Sequence, residues 1–240
     1  MSDEPGGRAQ QRAGMRTPAV LRAEHVTKRF GGVLALDDVT VEAHAGAVTC
    51  LLGDNGAGKS TLIRILSGVL PPTAGRLLLD GAEVQFAAPR DALARGIATV
   101  YQDLALVPLM SVWRNFHLGA EPTVGAGPLR RIDVAACRRS ALDELGALGI
   151  RLNDPEQPVA TLSGGQRQAL AIARAVHRGA RVLILDEPTA ALGVTQRALV
   201  TDLVRRVRAR GVAVILITHD PMQADALADS RVVLEHGRVA

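Results

Sequence analysis

Residues 53–60 combine glycines, a lysine and a serine in the spacing G-x-x-x-x-G-K-[ST]. They are Gly53, Asp54, Asn55, Gly56, Ala57, Gly58, Lys59 and Ser60. Glycines let backbone N–H groups converge on anionic oxygens, and the helix predicted to follow adds positive potential at its N-terminus. We therefore expect a phosphate-binding loop in which Lys59 reaches the β- and γ-phosphates of a nucleotide, Ser60 binds Mg²⁺ and Thr61 supports the loop. The alternative is an ordinary glycine-rich turn with a helix cap.

Two adjacent acids, Asp186 and Glu187, follow the apolar segment 182–185. Because side chains alternate along a strand, we expect the two carboxylates to point in different directions and to serve different purposes. Asp186 can hold Mg²⁺ together with Ser60, and Glu187 can orient or deprotonate the water that attacks the γ-phosphate. The alternative is a pair of solvated acids in the turn before Pro188.

A second glycine-rich segment, L-S-G-G-Q at 162–166, precedes an amphipathic helical pattern. Ser163 and Gln166 fit a capping box, the ordinary interpretation of such a helix start. A capping box does not explain Gly164 and Gly165, since each glycine in the first turn costs about 1 kcal/mol relative to alanine. We therefore expect the close approach of another molecule here and a second anion site at the helix N-terminus.

The basic residues also carry information, because 26 of 28 are arginine and only Lys28 and Lys59 are lysine. Lysine is a compact point charge that arginine does not replace in a tight phosphate site. No lysine remains for the N-K-x-D box that reads guanine, so adenine is favoured. Phe30, just before the turn at Gly31-Gly32, can stack on adenine; core packing is the alternative.

The pattern of the 240 residues predicts an α/β fold with a largely parallel sheet, whose ligands bind beyond the carboxyl ends of the strands. Short strands are expected at 19–30, 39–43, 47–52, 97–101, 182–185, 212–217 and 231–235, with two more within 71–100. Helices are expected at 61–68, 134–148, 164–178, 194–210 and 221–228. The proline-rich stretch 103–160 is interpreted as a mainly helical insertion.

Composition excludes several classes of protein. Cys50 and Cys137 are far apart and form no C-x-x-C, which argues against a disulfide scaffold or a cysteine zinc site and fits a reducing cytosol. No run approaches the roughly 18 apolar residues of a membrane span. Residues 1–18 are expected to be a disordered basic tail without a secretory signal, and Met15 is an alternative start. The arginine clusters are interleaved with acids and few aromatics, which argues against nucleic acid as a partner.

Together these motifs resemble the ATP-binding-cassette (ABC) ATPases, and the resemblance covers about residues 20–240. The serine of the L-S-G-G-Q box lies 23 residues before Asp186, and His219 lies 33 residues after it. The resemblance implies a P-loop NTPase core with a mainly parallel sheet, an N-terminal antiparallel β region and an inserted helical subdomain. The core would comprise 19–102 and 161–240, and the subdomain about 103–160, in a single ATP-binding domain spanning 19–240.

The resemblance also implies site residues beyond the motifs. Gln102 matches a glutamine that contacts Mg²⁺ and the attacking water, His219 a histidine that contacts the γ-phosphate, and Phe30 an adenine-stacking aromatic. Without the resemblance, the alternative for Gln102 is an ordinary polar surface residue. The alternative for His219 is a polar residue that precedes a helix capped by Asp220. One position departs from the family pattern, since Gly193 stands where aspartate is common.

The family resemblance implies a head-to-tail homodimer in which the L-S-G-G-Q box of one subunit closes over the ATP bound by the other. The resemblance implies integral membrane permease subunits as direct partners and a solute-binding protein as an indirect partner. It also implies a location on the cytoplasmic face of the inner membrane. Segments 101–108 and 188–194 are similar to ATPase subunits of monosaccharide importers of the ribose/fructose type, which implies a peripheral ATPase for sugar import. The alternatives are an importer of another small solute such as an amino acid, a soluble non-transport ABC ATPase, and a non-catalytic nucleotide-binding regulator.

Overall fold

The computed structural model describes residues 18–152 and 154–240, so nearly all of the predicted N-terminal tail lies outside the described residues. In chain order the strands are β1 (Ala19–Phe30), β2 (Val33–His44), β3 (Val48–Leu52), β4 (Ala74–Leu79), β5 (Ala82–Val84), β6 (Ile97–Val100), β7 (Thr123–Val124), β8 (Arg131–Ile132), β9 (Val182–Asp186), β10 (Ala213–Ile217), β11 (Ser230–Glu235) and β12 (Arg238–Val239). The helices are α1 (Lys59–Leu66), α2 (Pro89–Ala94), α3 (Val112–His117), α4 (Val134–Ala147), α5 (Gly164–His177), α6 (Val194–Ala209) and α7 (Pro221–Leu227). Within these described ranges, no helix has the length and apolar composition needed to cross a bilayer.

The central sheet has the strand order β12–β11–β3–β10–β9–β6. All neighbours are parallel except the terminal pair β11–β12. This arrangement confirms the predicted α/β fold with a mainly parallel sheet. Because the strands are parallel, the segments that follow β3, β6, β9 and β10 meet at one edge of the sheet, which is where a ligand site is expected.

The central sheet is buried on both faces. On β10, Val214 and Leu216 pack into one core, while Ala213, Ile215 and Ile217 pack into the other. This alternation follows from the two-residue period of a strand. The first core lies against α3 to α7, and the second against α1 and the N-terminal sheet.

The N-terminal sheet is antiparallel and has the strand order β2–β1–β4–β5, as the family resemblance implied. Its two long strands, β1 and β2, are joined by the turn at Gly31-Gly32. The sheet packs with α1 over the second core, which holds the phosphate loop between β3 and α1 against the rest of the chain.

The stretch 103–160 carries α3, α4 and a two-stranded hairpin, β7–β8, that the sequence pattern did not predict. Trp113 and Phe116 of α3 are buried in the first core. The buried Asn115 side chain accepts from the Val107 amide N–H at 2.8 Å and donates to three main-chain carbonyls, so it fixes the loop before α3. The division of the chain into a core and a subdomain at 102 and 161 stays a prediction.

Both cysteines are fully buried and neither forms a disulfide. Burial raises the pKa of the Cys50 thiol to about 11, and burial also raises the pKa of Cys137. Both side chains are therefore protonated near neutral pH and serve as small apolar residues of the first core.

Candidate functional site

The phosphate loop occupies the turn between β3 and α1. A Cβ added at Gly53 would lie 2.2 Å from the Leu234 carbonyl oxygen, and one at Gly58 would lie 2.7 Å from the Ala35 carbonyl oxygen. Both glycines also have left-handed φ, +141° at Gly53 and +106° at Gly58. Glycine is therefore required at these two positions by the chain's own packing and backbone conformation.

Lys59 is the first residue of α1, and its side chain folds back over the loop. Its Nζ donates to the carbonyl oxygens of Gly53 at 2.5 Å and Asp54 at 3.0 Å. A phosphate oxygen carries more negative charge than a carbonyl oxygen and forms a stronger, charge-assisted hydrogen bond with an ammonium group. The lysine is thus held where an incoming phosphate would compete for its protons.

A cleft of about 540 Å³ opens beside the loop. This volume is within the range of small-molecule sites. The residues that line it are Val33, Leu34, Ala35, Asp54, Asn55, Gly56, Gly58, Lys59, Ser60, Thr61, Gln102, Asp186, Glu187, His236 and Gly237. The structure therefore brings the loop, both predicted acids and Gln102 to one cleft at the carboxyl edge of the central sheet.

The two acids have different backbone conformations, so the simple alternation of side chains along a strand does not continue from Asp186 to Glu187. Asp186 ends β9, whereas Glu187 has a left-handed φ of +49° and its N–H donates to the Ile217 carbonyl at 3.0 Å. With this turn, both Asp186 and Glu187 line the same cleft. A left-handed conformation at a non-glycine residue is strained, and such strain concentrates at functional sites.

The surroundings of Asp186 disfavour its negative charge. Burial, followed by the charge of Glu187, raises the pKa of Asp186 above its usual value, and Lys59 partly offsets this effect. The ionised form of Asp186 is therefore less favourable in the folded chain than it would be in water. A cation in the cleft would relieve that unfavourable interaction.

The oxygen atoms present suit Mg²⁺, which prefers carboxylate, hydroxyl and phosphate oxygens. Ser60, Gln102 and Asp186 offer one hydroxyl, one amide and one carboxylate to the same cleft. Across residues 18–152 and 154–240, no group of three or more His, Cys, Asp or Glu side chains is placed to bind a metal by itself. These side chains fit an ion that takes further ligands from a bound triphosphate.

His219 and Phe30 lie beside the cleft rather than in its wall. His219 follows β10, is 72% exposed, and its Nδ1 lies 2.9 Å from Glu187 Oε2. Phe30 is 45% exposed at the end of β1, paired with Val33, which lines the cleft. Both side chains are therefore accessible to a ligand that extends beyond the cleft.

The L-S-G-G-Q box begins α5 with the capping box predicted from the sequence. The Ser163 Oγ accepts from the Gln166 N–H at 3.2 Å, and Gln166 Oε1 accepts from the Ser163 N–H at 2.9 Å. None of residues 163–166 lines the cleft of its own chain. Ser163 is exposed, so the box presents its hydroxyl and helix N-terminus to the outside of the molecule.

The glycine pair in the box also has an explanation within the chain. A Cβ at Gly164 would lie 2.9 Å from Leu192 Cδ2, and one at Gly165 would lie 2.9 Å from the Gln196 Cβ. Leu192, just before α6, and Gln196, in its first turn, therefore leave room only for glycine at the start of α5. This packing within the chain is a second reason for the glycine pair, and the approach of another molecule to the exposed Ser163 stays a prediction.

We expect Gly165→Ala to lower the free energy of unfolding by about 1–3 kcal/mol, because the added methyl group overpacks the contact with Gln196. Urea denaturation measures this change. The matched control is Gly146→Ala in α4, where an added Cβ meets nothing within 4 Å. This control should gain up to about 1 kcal/mol from higher helix propensity. Equal responses of the two variants would contradict the packing argument.

Arg197, on the same turn of α6, links the box region to the loop that carries His219. Its Nε donates to the Leu192 carbonyl at 2.9 Å, and its guanidinium lies 3.5 Å from the Asp220 carboxylate. Asp220 in turn caps α7 by accepting from the Met222 N–H at 2.9 Å. Gly193, where the family pattern often has aspartate, precedes α6 as an N-cap without a side-chain hydrogen bond.

Sequence reasoning missed five residues of the cleft wall, namely Val33, Leu34, Ala35, His236 and Gly237. The turn at 236–237 joins β11 to β12, and the Gly237 N–H donates to the Ala57 carbonyl of the phosphate loop at 3.0 Å. Glycine is typical of two-residue hairpin loops, so the dipeptide His-Gly was the sequence signal that could have predicted this turn. Nothing in the local sequence placed that turn beside the loop.

Comparison with known proteins identifies the family. The ABC transporter profile matches residues 36–190, which include the phosphate loop, the L-S-G-G-Q box and both acids of the cleft. The chain belongs to the ABC transporter family. ATP-binding cassettes of this family hydrolyse ATP to power transport.

Several curated members of the ABC transporter family are similar over most of this chain. The xylose/arabinose import ATP-binding protein XylG of Sulfolobus acidocaldarius is 42% identical, with 92% of this chain and 86% of XylG covered. The fructose import ATP-binding protein FrcA of Rhizobium meliloti is also 42% identical, with 88% and 82% covered. The arabinose import ATP-binding protein AraG of Azospirillum brasilense is 43% identical, but this chain spans only 41% of its length.

Solved structures of ABC cassettes have the same fold. The ADP conformation of MJ1267, an ATP-binding cassette of an ABC transporter, matches with a TM-score of 0.81 and 26% identity, over 93% of this chain and 90% of that one. A dimeric structure of the cassette MJ0796, in a post-hydrolysis state with ADP and Pi, matches with a TM-score of 0.74 and 26% identity, over 91% and 96%. These matches confirm the predicted P-loop ABC fold.

Proposed function

We propose that this chain is the ATP-hydrolysing subunit of a membrane ABC transporter that imports a monosaccharide. The observation that carries the proposal is the cleft that brings Lys59, Ser60, Asp186 and Glu187 together at the carboxyl edge of the central sheet. A lysine and a loop of backbone N–H groups bind anionic phosphate, and a carboxylate beside them can act on water. Membership of the ABC transporter family supports the same reaction.

In this proposal Lys59 and the loop 53–61 bind the β- and γ-phosphates of ATP. Ser60, Asp186 and Gln102 would hold Mg²⁺, which neutralises charge on the phosphates when it is bound. Glu187 orients the attacking water and accepts its proton, and the contact with His219 Nδ1 holds the carboxylate in place. His219 also extends toward the γ-phosphate, and Phe30 stacks on adenine.

We further propose a head-to-tail homodimer in which the box at 163–166 covers the ATP of the second copy. In the single chain Ser163 of the box is exposed and none of residues 163–166 lines the cleft, so a cleft closed on both sides needs a second copy. Dimeric structures of the cassette MJ0796, which has the same fold, support dimerisation. ATP closes the dimer and hydrolysis reopens it.

The proposed partners are integral membrane permease subunits, with a solute-binding protein acting through them. The chain would lie on the cytoplasmic face of the inner membrane as a peripheral subunit. The names of the relatives support a sugar cargo, since XylG, FrcA and AraG are named for import of xylose/arabinose, fructose and arabinose. We therefore propose a pentose or hexose as the imported solute.

A test of this function is to purify the tagged chain with its native membrane complex and to measure phosphate release from ATP. We expect a permease and a solute-binding protein to accompany the chain, and a monosaccharide to stimulate hydrolysis. Lys59→Ala should abolish the stimulated activity because the phosphates lose their lysine. An amino acid that stimulates hydrolysis in place of every sugar would overturn the cargo, and purification without any membrane protein would overturn the transport function.

A further inference from the structure

Lys28 is one of only two lysines in a chain with 26 arginines, and it lies outside the phosphate loop. It is on β1, two residues before Phe30, so the two side chains project from the same face of the strand. Opposite this stretch, β2 carries an irregularity in the pairing that leaves Ala35 as an extra residue, and Ala35 lines the nucleotide cleft. Lys28 is therefore next to the cleft without being in its wall.

Two contacts fix the Lys28 ammonium group. Its Nζ donates a hydrogen bond of 2.7 Å to the Pro71 carbonyl, in the segment between α1 and β4. The same Nζ lies 5.3 Å from the centroid of the Phe30 ring, over its face. This distance is within the range of a cation–π interaction. One face of the Phe30 ring is thus held by a charge that is itself tied to a second part of the chain.

We infer that Lys28 is a positioning residue that holds the Phe30 ring ready to stack on the adenine of ATP, an inference that rests on the proposed function. An exposed phenylalanine at the end of a strand otherwise loses rotamer freedom when it binds a ligand. With Lys28 on one face, the ring is ordered beforehand, and it remains 45% exposed. Lysine suits this place because its single ammonium group makes both contacts, donating to the Pro71 carbonyl while it lies over the ring.

The first test is Lys28→Met, which keeps an unbranched apolar side chain and removes the ammonium group. Isothermal titration calorimetry should show about two- to fivefold weaker binding of adenylyl imidodiphosphate, as expected for an exposed cation–π contact. Binding of inorganic tripolyphosphate, which has no base, should not change. The matched control is Arg29→Met, which removes the same charge one residue further along β1 and should change neither dissociation constant.

The second test combines Lys28→Met with Phe30→Ala in a double-mutant cycle. If Lys28 acts through the ring, Lys28→Met should have no further effect on analogue binding once the ring is absent. Additive effects, or an equal loss of tripolyphosphate binding in Lys28→Met, would overturn the inference. Unchanged analogue binding by Phe30→Ala would overturn it too, whereas the proposed function would still be judged by phosphate release from the unsubstituted chain.

Discussion

Glu187→Gln is expected to slow ATP hydrolysis by about 10²–10⁴-fold, the usual contribution of a general base, while ATP still binds. The glutamine amide has the size of the carboxylate but does not accept a proton from water. Lys59 and Ser60, which bind the triphosphate in the proposed function, are unchanged. Phosphate release and equilibrium binding of ATP to the same preparation measure the two halves of this prediction.

The variant should also change the lifetime of the dimer. Because hydrolysis reopens the dimer in the proposed cycle, the Glu187→Gln chain with ATP and Mg²⁺ should elute as a stable dimer in size-exclusion chromatography. Glu235→Gln provides the control, since Glu235 is an exposed acid at the end of β11, which is not adjacent to β9 in the central sheet. Hydrolysis at the normal rate by Glu187→Gln would refute the role of this carboxylate.

A dimer with Ser163→Arg in one subunit and Lys59→Ala in the other is expected to hydrolyse ATP, although each variant alone is inactive. In a head-to-tail dimer, each site combines the phosphate loop of one subunit with the box of the other. The mixed dimer then has one site with both motifs intact and one site with both damaged. Up to about half of the normal rate is expected if the two sites act independently.

The decisive control places both substitutions in one subunit, paired with an unsubstituted one. Both sites of that dimer contain one damaged motif, so we expect no hydrolysis. If the box instead completed the site of its own chain, this control dimer would hydrolyse ATP through its unsubstituted subunit. The first mixed dimer would then be inactive, because each of its subunits carries one damaged motif. Purification through two different affinity tags isolates each mixed dimer, and phosphate release separates these opposite outcomes.

Much of the fold follows from local sequence patterns. The apolar runs at 182–185 and 212–217 predicted β9 and β10, and the periodic segment 194–210 predicted α6, which spans Val194–Ala209. These elements are long enough for a period of two or of 3.6 residues to be visible. The hairpin β7–β8 has two residues in each strand, too few for any periodicity. The short helix α2 was also not predicted, although proline at the first position of a helix, here Pro89, is a recognised sign of a helix start.

The candidate site was predictable where its residues are adjacent in sequence. The phosphate loop and the acids at 186–187 are continuous segments at strand ends, so spacing alone placed them. The conformation of Glu187 was not predictable, because its left-handed turn depends on a hydrogen bond to Ile217 in a neighbouring strand. The role of Gly165 depends in the same way on Gln196, which is 31 residues away in sequence.

The scarcity of lysine has a practical consequence for chemical labelling. Apart from the α-amino group, Lys28 and Lys59 carry the only primary amines of the chain. One amine is in the phosphate loop, and the other lies over the ring of Phe30. Acylation with an amine-specific reagent therefore modifies few sites outside the nucleotide pocket. Mass spectrometry of the acylated lysines then reports whether that pocket is accessible.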